Sequence, residues 1–278
     1  MSRPNLSYLK NLILAVVGLP CGVITGVTGL SCAPALQPAL RWLIGIQGSS
    51  LNGVILVMVS FVSWTGLLSF SQSGDIQWAN GFCITIGTFG GTVLVGKLIQ
   101  RSPIYFVRAR AAWSFIPLAC ALLMISVSTG HIARDIPAEP LLPTTGRLLP
   151  LLWSLAIGVG VGFIGYAGEL GSILVIPALY FLLGRSILQS EGTALYILVL
   201  ASLPAALVHA IRRTLNTDAA FALSIGGVFG SLFGAHLAVK ELPDSTTTFV
   251  CGGTLALFSL ISLFQRPEVS QDRNNEAV

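Results

Sequence analysis

Apolar residues run along this chain in long blocks, and the polar residues gather in short breaks between them. The blocks fall at roughly 11–46, 51–71, 79–99, 104–128, 148–184, 191–211, 219–239 and 247–264. Blocks this long and this poor in charge predict helices that cross a bilayer, at about 20 residues to a crossing. Six of them suit one crossing each. The first and fifth are too long for one, and both are cut by glycine and proline, as in GFIGYAGELGSILVIP at 162–177. Each of these two predicts a helical hairpin, out and back.

The two interrupted blocks share a register. Gly26 and Gly165 lie 139 positions apart, and the same ungapped offset pairs Gly29 with Gly168, Pro38 with Pro177, Gly45 with Gly184 and Gly53 with Gly192. It continues through Ser63 with Ser202, Gly87 with Gly226 and Gly91 with Gly230. Single glycine matches are cheap in a glycine-rich chain, but one register held across three segments predicts a tandem duplication. The expected organisation is a first membrane repeat at 1–130, a Pro-rich linker loop at 131–147, a second repeat at 148–265 and a polar tail at 266–278.

Charge bears on topology. With the interrupted blocks as hairpins, the N-terminal side collects Arg3, Lys10, Arg41, Lys97, Arg101, Arg108, Arg110, Arg212, Arg213, Arg266 and Arg273. The other side keeps Arg134, Arg147, Arg185 and Lys240. This bias places both termini in the cytoplasm by the positive-inside rule. It also makes the halves inverted. The predicted fold is therefore an all-α integral membrane protein of two inverted repeats, each a Gly-broken hairpin plus three transmembrane helices. Matched interruptions in inverted repeats mark secondary transporters and point to the binding site.

Composition agrees: 54% of residues are hydrophobic and only 9% are charged, against about 25% charge in soluble domains. The net charge of +4 comes from scattered basic residues without interleaved aromatics, so nucleic acid is not an expected partner. The five cysteines all lie in apolar segments without CxxC spacing, which predicts buried thiols, with no metal and no cofactor. Arg3 and Lys10 before LILAVVG imitate a signal peptide, but the apolar run continues well past Cys21, so a retained first span is expected. No Ser/His/Asp set, HExxH or P-loop appears, and the chain does not read as an enzyme.

The second half then shows a likeness. Gly171-Ser172-Ile173-Leu174-Val175-Ile176-Pro177, Leu183-Gly184 and Glu191-Gly192-Thr193-Ala194-Leu195 follow one another in an order that resembles the sulfite exporter family, TauE/SafE. His209 to Arg213 and the glycines from Gly226 to Gly234 extend it, and Gly26, Gly29, Pro38, Gly45, Gly53 and Gly74 to Trp78 form a fainter first copy. Gly168-Glu169-Leu170-Gly171 stands where that family carries a triple glycine. The resemblance implies an inner-membrane carrier, usually an exporter, of sulfite, organosulfonates or related small anions.

Glycine breaks in a membrane helix free backbone groups that must be paired or line a wet cavity. Ser31 and Ser172 follow the two turns and are suited to cap the returning half-helices. Two such helix starts, facing each other, would hold an anion without lysine or arginine. The expected substrate site comprises Gly26, Gly29 and Ser31 in the first turn and Gly165, Gly168, Gly171 and Ser172 in the second. Asn52, Gln189 and Thr193 are its polar lining. The competing view of each glycine is close helix packing. Glu169 is the proton-coupling candidate, since an acid within a membrane segment is a functional hypothesis by default; its alternative is a solvated turn residue. Glu191 is expected as a solvated acid at a helix start, and His209 with Arg212 and Arg213 as a headgroup-facing cluster. The alternatives to an anion carrier are a non-transporting membrane scaffold and a cation carrier that uses Glu169. Partners are then the substrate and the lipid bilayer, with homo-oligomers left open.

Overall fold

The structure, a computed structural model, describes residues 4–46, 48–101, 103–130, 141–142, 148–168 and 171–264. It is all-helical over these residues. In the first half, α1 (Pro4–Thr28) and α2 (Ala33–Ile44) are followed by α3 (Gly48–Ser73), α4 (Trp78–Arg101) and α5 (Pro103–Ser128). In the second, α6 (Leu148–Gly168) and α7 (Gly171–Pro177) run into a π-helical turn, Ala178–Leu182. Then come α8 (Ile187–Ile211), α9 (Thr217–Lys240) and α10 (Asp244–Phe264). Among the described residues six helices are long and apolar enough to cross a membrane. The chain is a multi-pass integral membrane protein.

The long blocks break where glycine and proline predict. α2 has 12 residues, which rise about 18 Å and cannot cross a hydrocarbon core of about 30 Å. It ends where Gly45 enters the left-handed region at φ +73° and donates its N–H to Arg41 O. The other short arm, α7, continues through Pro177, which cannot donate its nitrogen to the helix ladder, and the backbone widens into the π turn.

Packing follows one scheme. α1 lies against α9, α4 against α6 and α8, α3 against α8 and α9, and α5 against α10. Exchanging α1–α5 for α6–α10 leaves this set of partners intact. α3 and α8 run antiparallel: Gly53 faces His209, the Ser60 hydroxyl donates to Ser202 Oγ at 2.9 Å, and Gly192 faces Phe70. α1 and α9 run parallel and interlock through glycine. Gly18, Gly22 and Gly26 seat on the backbone of Leu223, Gly227 and Ser231, while Gly226, Gly230 and Gly234 seat on Ala15, Leu19 and Val23. In hydrocarbon, where no hydrophobic force draws helices together, such close backbone approach is a main source of association. The opposite face of α9 carries Phe221, Ile225, Phe229 and Phe233, 57–65% exposed, as a stripe for lipid.

The packing shifts one part of the sequence register. Gly18 seats on Leu223 O and Gly158 on Ile84 O; Gly22 seats on Gly227 O and Gly162 on Thr88 O. The carbonyl seats lie 139 positions apart, but the glycines lie 140 apart. In space Gly26 therefore corresponds to Tyr166 and not to Gly165. By Gly45 and Gly184, at φ +73° and +60°, the offset is again 139.

Candidate functional site

The first hairpin turn is held from within. Gly29 ends α1 at φ +65° and donates its N–H to Thr25 O at 2.8 Å. Thr28 Oγ1 donates to Ile24 O at 2.7 Å and accepts from Leu30 N at 3.2 Å. Ser31 Oγ accepts from Ala33 N at 3.4 Å, so it covers the start of α2 from one residue outside Cys32. Ala35 and Leu36 give their N–H groups to Cys32 O, and Pro34 has none to give. α2 thus offers few free donors, although the partial positive charge of its start remains.

Under this turn lies Glu191. A Cβ added to Gly29 would come within 2.7 Å of Glu191 O and 2.9 Å of its Cα. The Glu191 side chain is 0% exposed, and both carboxyl oxygens lack a hydrogen-bond partner among the described residues. The titratable groups nearest to it are Asp244 and Cys251 of α10. Cys251 Sγ in turn reaches Thr28 O at 3.9 Å. Three segments distant in sequence, the end of α1 with its turn, α8 and α10, therefore meet around one carboxyl.

Glu191 is thus not the solvated helix-start acid the sequence suggests. α8 begins four residues earlier, at Ile187, because Ser186 adopts an extended conformation and its hydroxyl accepts from Gln189 N at 3.2 Å. One turn inside the helix, Glu191 points into the bundle. A fully buried acid without a hydrogen-bond partner among the described residues is the candidate that sequence reasoning passed over. Its signal was its neighbour: Gly192 and Thr193 anchor the α3–α4 turn, with Thr193 Oγ1 accepting from Gln77 N at 3.0 Å and Asp75 O 2.6 Å from where a Gly192 Cβ would be.

The remaining expected site residues disperse. Gly26 lies in the α1–α9 packing seam, its place for a Cβ occupied by Ser231 O. Asn52 is exposed on the outer surface of α3. The Gln189 backbone serves the α8 cap, and its side chain is half-buried. α6 is described as far as Gly168 and α7 from Gly171, with Gly165 inside α6 and Ser172 inside α7. Glu169 lies outside the described residues. The first turn does not lie at the middle of the α3–α8 pair. Measured along α8, Glu191 is about 16 Å from Ser202 at the centre of the α3–α8 pair. α1 is long enough to traverse most of the bilayer before it turns, which carries the turn towards the far face. His209 Nδ1 pairs with Thr214 Oγ1 at 3.0 Å beside the exposed Arg212 and Arg213, as a cluster at the α8–α9 turn.

Two further features flank the second hairpin. An apolar cavity of about 560 Å³ lies between α5, α6 and the α7–π segment, lined by residues such as Ile116, Leu123, Ile157, Leu174 and Phe181. Without a polar group in its lining it does not suit a small anion. After the π turn, Arg185 donates its backbone N–H to Leu179 O, and its Nε is buried without a partner. Burial pulls its guanidinium below the ordinary arginine value. Among the described residues no group of His, Cys, Asp and Glu could hold a metal ion.

A turn closed over a buried acid thus lies inside a bundle of apolar helices, the frame of a multi-pass membrane protein. The family model for the sulfite exporter TauE/SafE matches residues 2–122 and 105–263, and the chain belongs to that family of membrane transporters. It is also similar to a probable membrane transporter protein, YunE, of Bacillus subtilis (strain 168), at 22% identity over 82% of this chain and 88% of that one. No solved structure matches it.

Proposed function

We propose that the protein is a secondary transporter that exports sulfite, an organosulfonate or a related small anion across the inner membrane, coupled to protons. The observation that carries this reading is the Gly29 turn seated on the buried Glu191, within a chain of the TauE/SafE family. The turn brings a helix start and interrupted backbone against a buried carboxyl, and broken helices serve ions and small solutes in transporters. Its position near one face suits a gate or an entry site.

The same reading takes the halves as inverted repeats with both ends in the cytoplasm. The exchange-symmetric packing and the antiparallel α3–α8 pair support it, because equivalent helices of an inverted repeat must run in opposite directions. Glu169, in the second turn, is the proposed coupling group of that hairpin.

Proteoliposomes loaded with sulfite test the proposal. Efflux should accelerate when a proton gradient is imposed, and taurine or another sulfonate should compete if the site takes that class. Glu169→Gln should remove the acceleration and leave sulfite exchange intact. Purified protein whose melting temperature no oxyanion shifts, and whose vesicles pass none, would sink the anion reading.

A further inference from the structure

We propose that Glu191 is a proton-binding latch: its carboxyl is protonated while the α1–α2 turn is seated on it, and release of the proton unseats the turn. This deepens the transporter reading, on which the turn belongs to the transport path. Among the described residues Glu191 finds no hydrogen-bond partner for either oxygen; it has no exposure and lies under the backbone of Gly29. An isolated ionised carboxylate in such surroundings is costly unless it finds a partner or water. The described neighbours give it no cation. From α10 it faces Asp244 and Cys251, which bring further acid character, and the turn and Gly192 bring backbone and no charged side chain. The seated arrangement is therefore compatible with the acid form only. When the proton leaves, the cheapest response is movement of the cover.

Leu30 and Cys32 of the cover are packed in the core, so lifting it must expose them. It is a four-residue turn between two helices, held by local bonds through Thr28 and Ser31. Its link to α10 is the weak contact of Cys251 Sγ with Thr28 O. Acid conditions then favour the seated turn, and alkaline conditions favour the open one. Proton release towards the face nearer α8's start would be linked to opening of the pocket there.

Two native thiols report on this. Cys32 sits in the turn and Cys251 beside it, both almost wholly buried. Alkylation of Cys32 by N-ethylmaleimide is followed by mass spectrometry on the full-length protein in detergent, for wild type and Glu191→Gln across a pH series. The thiol's own pH response is common to both proteins, so the rate ratio isolates the latch. The ratio of wild type to Glu191→Gln should stay near one in acid and rise roughly ten-fold at alkaline pH. A ratio that stays flat overturns the proposal. If Glu191→Gln exposes Cys32 and Cys251 together in acid, it is misfolded, and Glu191→Met serves as the reference under the same criterion. Wild-type vesicles that move no sulfite overturn the substrate reading alone, because the labelling ratio does not depend on substrate.

Discussion

Gly29 holds a left-handed φ of +65° while its α-carbon lies against the backbone of Glu191. Only glycine meets both conditions. Gly29→Ala should destabilise the protein by about 2 kcal/mol from backbone strain, with a further loss from the clash, seen as a lower melting temperature in detergent. Gly90 is a control, since nothing lies within 4 Å of where its Cβ would be; Gly90→Ala should be neutral or raise stability by up to about 1 kcal/mol. Thr193→Val removes the acceptor for Gln77 N and should cost about 1 kcal/mol by loss of a cap-like bond. Glu191 shows the limit of reading residues one at a time. Charge at the edge of an apolar block looks like a solvated end, yet its burial comes from a turn some 160 positions earlier in the chain.

At the scale of elements, helix pairs are held by backbone approach more than by side-chain bulk. Gly230 seats on Leu19 O and Val23 N, so Gly230→Leu should pry α1 from α9 and lose the folded species in size-exclusion chromatography, whereas Phe229→Leu on the lipid face should not. The antiparallel pairing of α3 and α8 is checked by Ser60→Cys with Ser202→Cys in a background without the native cysteines. The hydroxyls are 2.9 Å apart, and mild oxidant should join the cysteines within one chain. Block boundaries placed nearly every helix, because lipid demands continuous apolar runs. The one-residue slip between α1 and α6 was hidden, because a glycine fits either register as letters and only the facing carbonyl decides which one packs.

For the whole molecule, the even alternation of helices puts the start of α9 and the turn after it on opposite faces. Asp218 and Glu241 are both exposed there. In the same cysteine-free background, Asp218→Cys should react only with reagent supplied from the cytoplasm, and Glu241→Cys only from the other side. The reverse result would invert the assigned orientation. Sequence alone determined that this chain is an all-helical membrane protein, with two glycine-broken blocks and a likeness to the TauE/SafE transporters. Hydrocarbon imposes those patterns locally, through segment length, absence of charge and the cost of broken backbone. Tertiary structure decided which broken turn covers which acid, which glycines pack and which turn the chain, and that Asn52 faces outward while Glu191, at the matching offset, is sealed inside. Those outcomes depend on contacts between helices far apart in the chain, and periodicity within one helix carries no record of them.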